Sequence, residues 1–175
     1  MVGYIALLRG VNVGGITVKS ADLRDVFESL GFESVRTVLA SGNVAFQSDR
    51  ADAAALKRAI ESALGDRFGY DAWIVLITRA ELERVVEAFP FDAQREGWHP
   101  YVLFASDPEH LAELVAAADG LDEADDVIAQ GDGVVYWHNR RQVGVGSAFS
   151  KLTGKARFKP TTTNRNLRTL DKLLA

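Results

Sequence analysis

The sequence predicts an α+β protein: two βαββαβ repeats packed together, with an extra helix at the C-terminal end. Three observations predict it. Short apolar runs of strand type are interleaved with helical spacings in the order β-α-β-β-α-β, which is the order of the ferredoxin-like unit. The pattern starts again roughly 90 residues later, in element order and without residue-level identity between the halves. The chain has 175 residues, 47% of them hydrophobic and 25% charged, the size and balance of a globular protein with its own core. This reading divides the chain into residues 1–90, a first repeat with a linking helix, and residues 91–175, a second repeat with a basic C-terminal helix.

The elements follow in order. Tyr4–Leu8 is a continuous apolar strand ending at Arg9-Gly10, and Val11–Gly15 is a glycine-containing loop. Ser20 offers an N-cap for a helix whose inner face is Leu23, Val26, Phe27 and Leu30, and Gly31 stops it. Val35–Leu39 and Val44–Phe46 are strands joined through Ala40-Ser41-Gly42-Asn43, where asparagine tolerates left-handed φ. Leu56, Ile60, Ala63, Leu64 and Phe68 mark a second helix, and Trp73–Ile77 is a strand. Thr78 and Glu81 form a capping box that opens the linking helix, which Pro90 ends. In the second half Tyr101–Phe104 is a strand. Asp107-Pro108 caps a helix lined by Leu111, Leu114, Val115 and Ala118, with proline at the first position, where its missing N–H costs nothing. Val127–Ala129 and Val134–Trp137 are strands joined by Gly131-Asp132-Gly133, a hairpin signal. A short helix near Ser147–Arg157 and a last helix carrying Leu167, Leu170 and Leu174 complete the chain.

Composition excludes several chemistries. With no cysteine there is no disulfide framework, thiolate metal site or cysteine nucleophile. His99, His110 and His138 are scattered without metal-ligand spacing, and the acidic run Asp122, Glu123, Asp125, Asp126 lacks a calcium-loop pattern and reads as a solvated turn. No metal and no cofactor is expected. Gly144-Val145-Gly146 lacks the third glycine and the distant acid of a dinucleotide fingerprint, and Thr153-Gly154-Lys155 is no P-loop. The N-terminal stretch has neither a basic flank nor a small-residue cleavage site, and no apolar run reaches ~18 residues, so a cytoplasmic protein with no membrane partner is expected.

Net charge is −4, but it is unevenly spread. Residues 140–175 hold nine Lys/Arg against one acid, Asp171, while residues 1–139 hold eleven against 23. Such a split points to a partner or to internal neutralisation.

The segments LRGVNVGG at Leu8–Gly15, SGN at Ser41–Asn43, Ser150-Lys151-Leu152 and T-x-R-N-x-x-T at Thr163–Thr169 together resemble one bacterial family, domain-of-unknown-function family 1697. The resemblance runs from Tyr4 to the last helix. One position departs from it: Leu167 stands where members usually carry tryptophan. The resemblance implies the duplicated architecture and no activity.

The residues of these segments are the candidate site. Gly14 and Gly15 expose backbone N–H groups without a Cβ, and Asn12 adds donors. Arg9, at a strand end, suits bidentate contact with phosphate or carboxylate, or an internal ion pair. Ser41 and Asn43 are either ligand donors or turn residues, and Ser41 lacks the elbow motif of a nucleophile. Lys151, Arg165 and Asn166 supply charge and an amide, with Arg165 and Asn166 near the start of the last helix. The expected function is binding of an anionic or phosphate-bearing ligand (a nucleotide, phosphorylated metabolite or nucleic acid) in a cleft between the repeats. Two alternatives stand beside it. One is a transferase or hydrolase acting on a phosphorylated substrate through Ser41 or Lys151, and the other is an interaction protein that pairs acidic body with basic segment as a dimer. Tyr4, Phe46, Tyr101 and Trp137 lie on strands where RNA-binding sheets stack bases, but read better as core.

Overall fold

A computed structural model describes residues 1–12 and 16–175. The chain divides into two units, Met1–Glu83 with Asp171–Ala175, and Arg84–Leu170.

Unit 1 contains β1 (Val2–Leu8), α1 (Ser20–Ser29), β2 (Glu33–Thr37), β3 (Asn43–Ser48), α2 (Ala53–Phe68) and β4 (Ile74–Thr78). Its antiparallel sheet has the order β2-β3-β1-β4, with Tyr4 opposite Phe46 and Thr78. Tyr4, Ala6 and Leu8, alternate residues of β1, join Leu23, Phe27, Leu56, Ile60 and Leu64 of the two helices in one core. Tyr4 and Phe46 stack within it at 5.6 Å, which makes them core residues. α1 begins at Ser20 itself, Lys19 occupies the cap position, and no side chain caps the helix. The expected Ser20 cap is therefore one position out and unformed. α2 is capped instead by Asp52, whose Oδ1 accepts from the Ala55 N–H at 3.0 Å.

α3 (Arg79–Glu87) opens with the predicted capping box. The Thr78 N–H donates to Glu81 Oε2 at 2.6 Å, and the Glu81 N–H donates to Thr78 Oγ1 at 3.2 Å.

Unit 2 contains β5 (Trp98–Ala105), α4 (Pro108–Ala116), β6 (Asp126–Gln130), β7 (Val134–Arg140), α5 (Ala148–Thr153) and β8 (Thr162–Asn166), with the sheet order β6-β7-β5-β8. Position for position this repeats the order of the first sheet. Asp107 caps α4 through a 2.8 Å bond from the Glu109 N–H. The hairpin between β6 and β7 closes with Gly131 N–H donating to Val134 O at 2.9 Å, and Gly133 takes φ +70°. Leu103, Leu114, Val135, Trp137, Phe149 and Phe158 form the core. α6 (Leu167–Leu174) follows β8 directly. Its last carbonyls are held in unit 1: Arg36 donates to the carbonyls of Lys172, Leu173 and Ala175, and Arg79 donates to that of Leu174.

The element pattern is the expected one, and the second repeat is completed by a fourth strand, β8, at a segment expected to lie near the start of the last helix. β8 is the T-x-R-N segment, so Arg165 and Asn166 are strand residues, and the helix starts after them. The run Thr162–Asn166 has no apolar alternation, and its place in the sheet comes from pairing with β5 rather than from its own pattern.

Candidate functional site

In unit 1 the structure gathers four of the candidates at one end of the sheet. β1 is an interior strand and delivers Arg9 past its end, where the Arg9 N–H donates to Trp73 O at 3.0 Å. Arg9 is half-buried, and that burial draws its guanidinium below the ordinary arginine value. The Leu8 N–H donates to Gly42 O at 2.8 Å, which fixes the Ser41–Asn43 turn beside Arg9. Glycine is required there. Gly42 has φ +82°, and a Cβ on it would lie 2.6 Å from Val11 Cγ2 and 2.8 Å from Leu8 Cβ.

The left-handed residues of this turn are Leu39 (φ +58°) and Gly42, not Asn43. Asn43 starts β3, is fully buried, and donates Nδ2 to Val38 O and to Ser41 Oγ, both at 2.7 Å. Asn12 sits at φ +57° with its amide engaged at both ends. Nδ2 donates to Val18 O at 3.1 Å and to Ala40 O at 2.6 Å, and Oδ1 accepts from the Val18 N–H at 2.9 Å. Asn12 thus ties the loop leaving β1 to the β2–β3 turn. Gly14 and Gly15 lie outside the described residues.

In unit 2 the candidates diverge. On β8, Arg165 faces Val102 and Asn166 faces Tyr101 across the ladder, so the two side chains leave opposite faces of the sheet. Arg165 is 6% exposed, and its Nη1 donates to Thr163 Oγ1 at 2.6 Å and to Asn164 O at 2.8 Å. Asn166 Oδ1 accepts from the Arg168 N–H at 3.0 Å, capping the first turn of α6. Lys151 is exposed on α5.

Internal neutralisation takes up part of the basic stretch. Arg140 pairs with Asp125 and Arg157 with Glu113, each at 2.5 Å. Among the described residues, Arg141, Lys151, Lys155, Lys159, Arg168 and Lys172 of this stretch belong to no ion pair.

Two groups escaped the sequence reading. The first corrects the solvated acidic turn: Asp126 is 1% exposed. Its Oδ1 accepts from Trp137 Nε1 at 2.8 Å and from Asn139 Nδ2 at 3.1 Å, and its Oδ2 accepts from the Phe149 N–H at 3.2 Å. A buried carboxylate therefore holds the first turn of α5, beside the Ser147 hydroxyl that accepts from the Ser150 N–H. The second is the ring pair His99 and Tyr101 on β5, stacked with centroids 5.1 Å apart. Burial, then Arg141 and Arg168, push the His99 imidazole below the usual histidine value. The alternation of His99 and Tyr101 was the available signal, but Pro100 between them argues against a strand. β8 pairs only with Tyr101–Ala105, so Pro100 lies past the end of that ladder, where its missing N–H is tolerated.

Among the described residues no cluster of three or more His, Asp or Glu is arranged to hold a metal ion, and no helix is long and apolar enough to cross a membrane. A surface recess of about 210 Å³ lies at the far end of the first sheet, lined by Phe32, Glu33, Gln47, Ser48 and Arg50 among others, and includes none of the candidates.

A family model described as "Protein of unknown function (DUF1697)" matches residues 1–136. The chain belongs to this family. The matched span holds the Leu8–Gly15 and Ser41–Asn43 segments, and Thr163–Thr169 lies beyond it. A solved structure of a conserved bacterial protein from Streptococcus pneumoniae is similar throughout, with a TM-score of 0.80 and 27% identity, over 98% of this chain and 96% of that one. No curated protein matches.

Proposed function

We propose that this protein binds an anionic, phosphate-bearing ligand: a nucleotide, a phosphorylated metabolite or a nucleic acid. The observation that carries the reading is the cation surplus of residues 140–175, nine Lys/Arg against one acid. Six Lys/Arg side chains of the basic stretch, Arg141, Lys151, Lys155, Lys159, Arg168 and Lys172, belong to no ion pair among the described residues, so internal neutralisation does not account for them. The gathering of Arg9 with the exposed Ser41 at one sheet end in unit 1 adds support, because arginine beside a hydroxyl suits oxyanions, while the buried Asn43 amide holds the turn that presents Ser41. The enzyme alternative gains nothing from Lys151, which is a solvent-exposed charge outside any ion pair among the described residues.

The test is calorimetry with inorganic phosphate, pyrophosphate and mononucleotides on wild type and on an Arg9→Ala/Arg165→Ala variant. Saturable binding by wild type that weakens at least tenfold in the variant, and weakens as salt rises, is expected. Absence of saturable, salt-sensitive binding by wild type overturns the reading, and equal behaviour of the two proteins removes Arg9 and Arg165 from the site. A mobility shift with single-stranded RNA at two salt concentrations separates the nucleic-acid branch, whose affinity falls steeply with salt.

A further inference from the structure

We propose that unit 2 carries a stacking site for a nucleoside phosphate, with the base on the His99 and Tyr101 rings and the phosphate between Arg141 and Arg168. This rests on the anionic-ligand reading above and adds to it the chemical class of the ligand and its place.

The first observation is a run of rings that leads from the core to the surface. Trp137, 4% exposed, lies 5.1 Å from Tyr101, and Tyr101 stacks on His99 at 5.1 Å with 26° between the planes. Tyr101 and His99 are only partly buried, so His99 is the outermost ring of the run. Aromatic rings with the inner member held by a core are rigid platforms, and a planar base extends the stack at little entropic cost.

The second observation is where the topology puts the charge. β5 is flanked by β7 and β8. On one side Asn139 of β7 stands opposite His99, and two residues later the chain reaches Arg141, whose N–H donates to Gly97 O at 2.9 Å. On the other side Asn166 of β8 stands opposite Tyr101, and two residues later comes Arg168, whose N–H is fixed by Asn166 Oδ1. The two arginines thus flank the ring pair from both neighbouring strands. Both are exposed, and neither belongs to an ion pair among the described residues. Across the ladders His99 faces Asn139 and Tyr101 faces Asn166, both neutral amides, and the buried Asp126 carboxylate accepts from Asn139 Nδ2 and Trp137 Nε1.

The electrostatics agree with the geometry. Arg141 and Arg168 both disfavour the imidazolium form of His99, and Arg141 also opposes the upward push of burial on the Tyr101 phenol. His99 is a flat ring inside a positive field that opposes its protonation. Two guanidinium forks suit phosphate oxygens. Inorganic phosphate would use the arginines alone, whereas a nucleotide uses the arginines and the rings together.

The field on His99 supplies a readout that does not depend on activity. The chain has only three histidines, so each imidazole can be followed by two-dimensional NMR, with His99 assigned from a His99→Gln variant. Adding AMP should raise the His99 pKa, because a bound dianion offsets Arg141 and Arg168, while His110 and His138 stay unmoved. Without ligand, an Arg141→Gln/Arg168→Gln variant should also raise the His99 pKa, and it should weaken AMP binding at least tenfold. Both arginines are exposed, so this variant tests the site without disturbing the core. Tyr101→Leu should weaken AMP at least tenfold and leave inorganic phosphate within about twofold. A single-stranded RNA octamer that binds more tightly than AMP with the same His99 response would place the nucleotide in a strand and support the site.

AMP binding that leaves His99 unmoved overturns the proposal, as does AMP binding unchanged in both variants. If the Arg141/Arg168 variant binds like wild type while Arg9→Ala/Arg165→Ala does not, this site falls and the anionic-ligand reading stands. If neither phosphate nor AMP binds, both fall.

Discussion

Removing the Asp126 carboxylate should cost more than removing any other acid, because among the described residues it alone accepts from three buried donors, Trp137 Nε1, Asn139 Nδ2 and the Phe149 N–H. In Asp126→Ala, Asn139 Nδ2 keeps Gly144 O at 3.3 Å and Ser147 Oγ at 3.2 Å. Trp137 Nε1 and the Phe149 N–H lose the acceptors they have at 2.8 and 3.2 Å. Each orphaned buried donor costs about 1–3 kcal/mol, and water admitted to the vacated space offsets part of it. The net expectation is about 3 kcal/mol, or roughly two decades in the folding constant. Asp126→Asn keeps one acceptor and turns an NH₂ toward a donor, and should cost about half as much. The assay is urea unfolding followed by circular dichroism, with amide hydrogen exchange at Phe149 as the local probe. Glu123→Ala, at an exposed neighbouring acid, serves as control and should stay within ~0.5 kcal/mol. Trp137→Phe supplies the second edge of a double-mutant cycle, and its cost should shrink once Asp126 is gone. A loss below ~1 kcal/mol for Asp126→Ala, or full additivity with Trp137→Phe, refutes the reasoning.

Two further outcomes follow from backbone geometry and burial. Gly42→Ala should destabilise by about 3 kcal/mol, combining a left-handed φ with contacts to Val11 and Leu8 that cannot relax, while Gly133→Ala, left-handed in open space, should cost only about 1–2 kcal/mol; equal thermal shifts for the two would contradict this. Burial first, then Arg95, holds the His138 imidazole below its ordinary value of 6.5, and Asp92 opposes them. The folded state then binds fewer protons than the unfolded chain in acid, so this stability is present above ~6.5 and is lost as pH falls, by at most ~1.4 kcal/mol per pH unit. Urea midpoints at pH 7.5 and 5.5 should diverge more for wild type than for His138→Phe, with His99, shifted in the same direction, leaving a residual slope in the variant.

How much of this was legible depends on how local the cause is. The Thr78–Glu81 box and the Asp107-Pro108 start lie within four residues of themselves, and both form as the letters indicate. The helix faces were legible because a period of 3.6 needs no partner to be seen. β8 was not, since Thr162–Asn166 takes its conformation from its neighbour in the sheet. Asp126 was miscast by its company: three acids precede it, and only the hairpin brings Trp137, eleven positions on, to its oxygen. Nothing in the letter leucine announces the left-handed φ of Leu39. The candidate site was legible as a set of residue types, and its geometry was not. Adjacent letters Arg165 and Asn166 become opposite faces once they lie in a strand, and the arginines flanking His99 come from segments 27 residues apart in sequence.

The anchoring of α6 by Arg36 and Arg79 has a consequence for how the molecule is made. Residues 171–175 complete the unit that begins at Met1, although 87 intervening residues separate them from Glu83. A ribosome therefore emits the whole of the second unit before the first has all its parts. Until then, the side chains of Arg36 and Arg79 wait without the carbonyls they will hold. Synthesis order and assembly order are out of step in this chain, and a fragment stopped at residue 83 would lack a piece of its own fold.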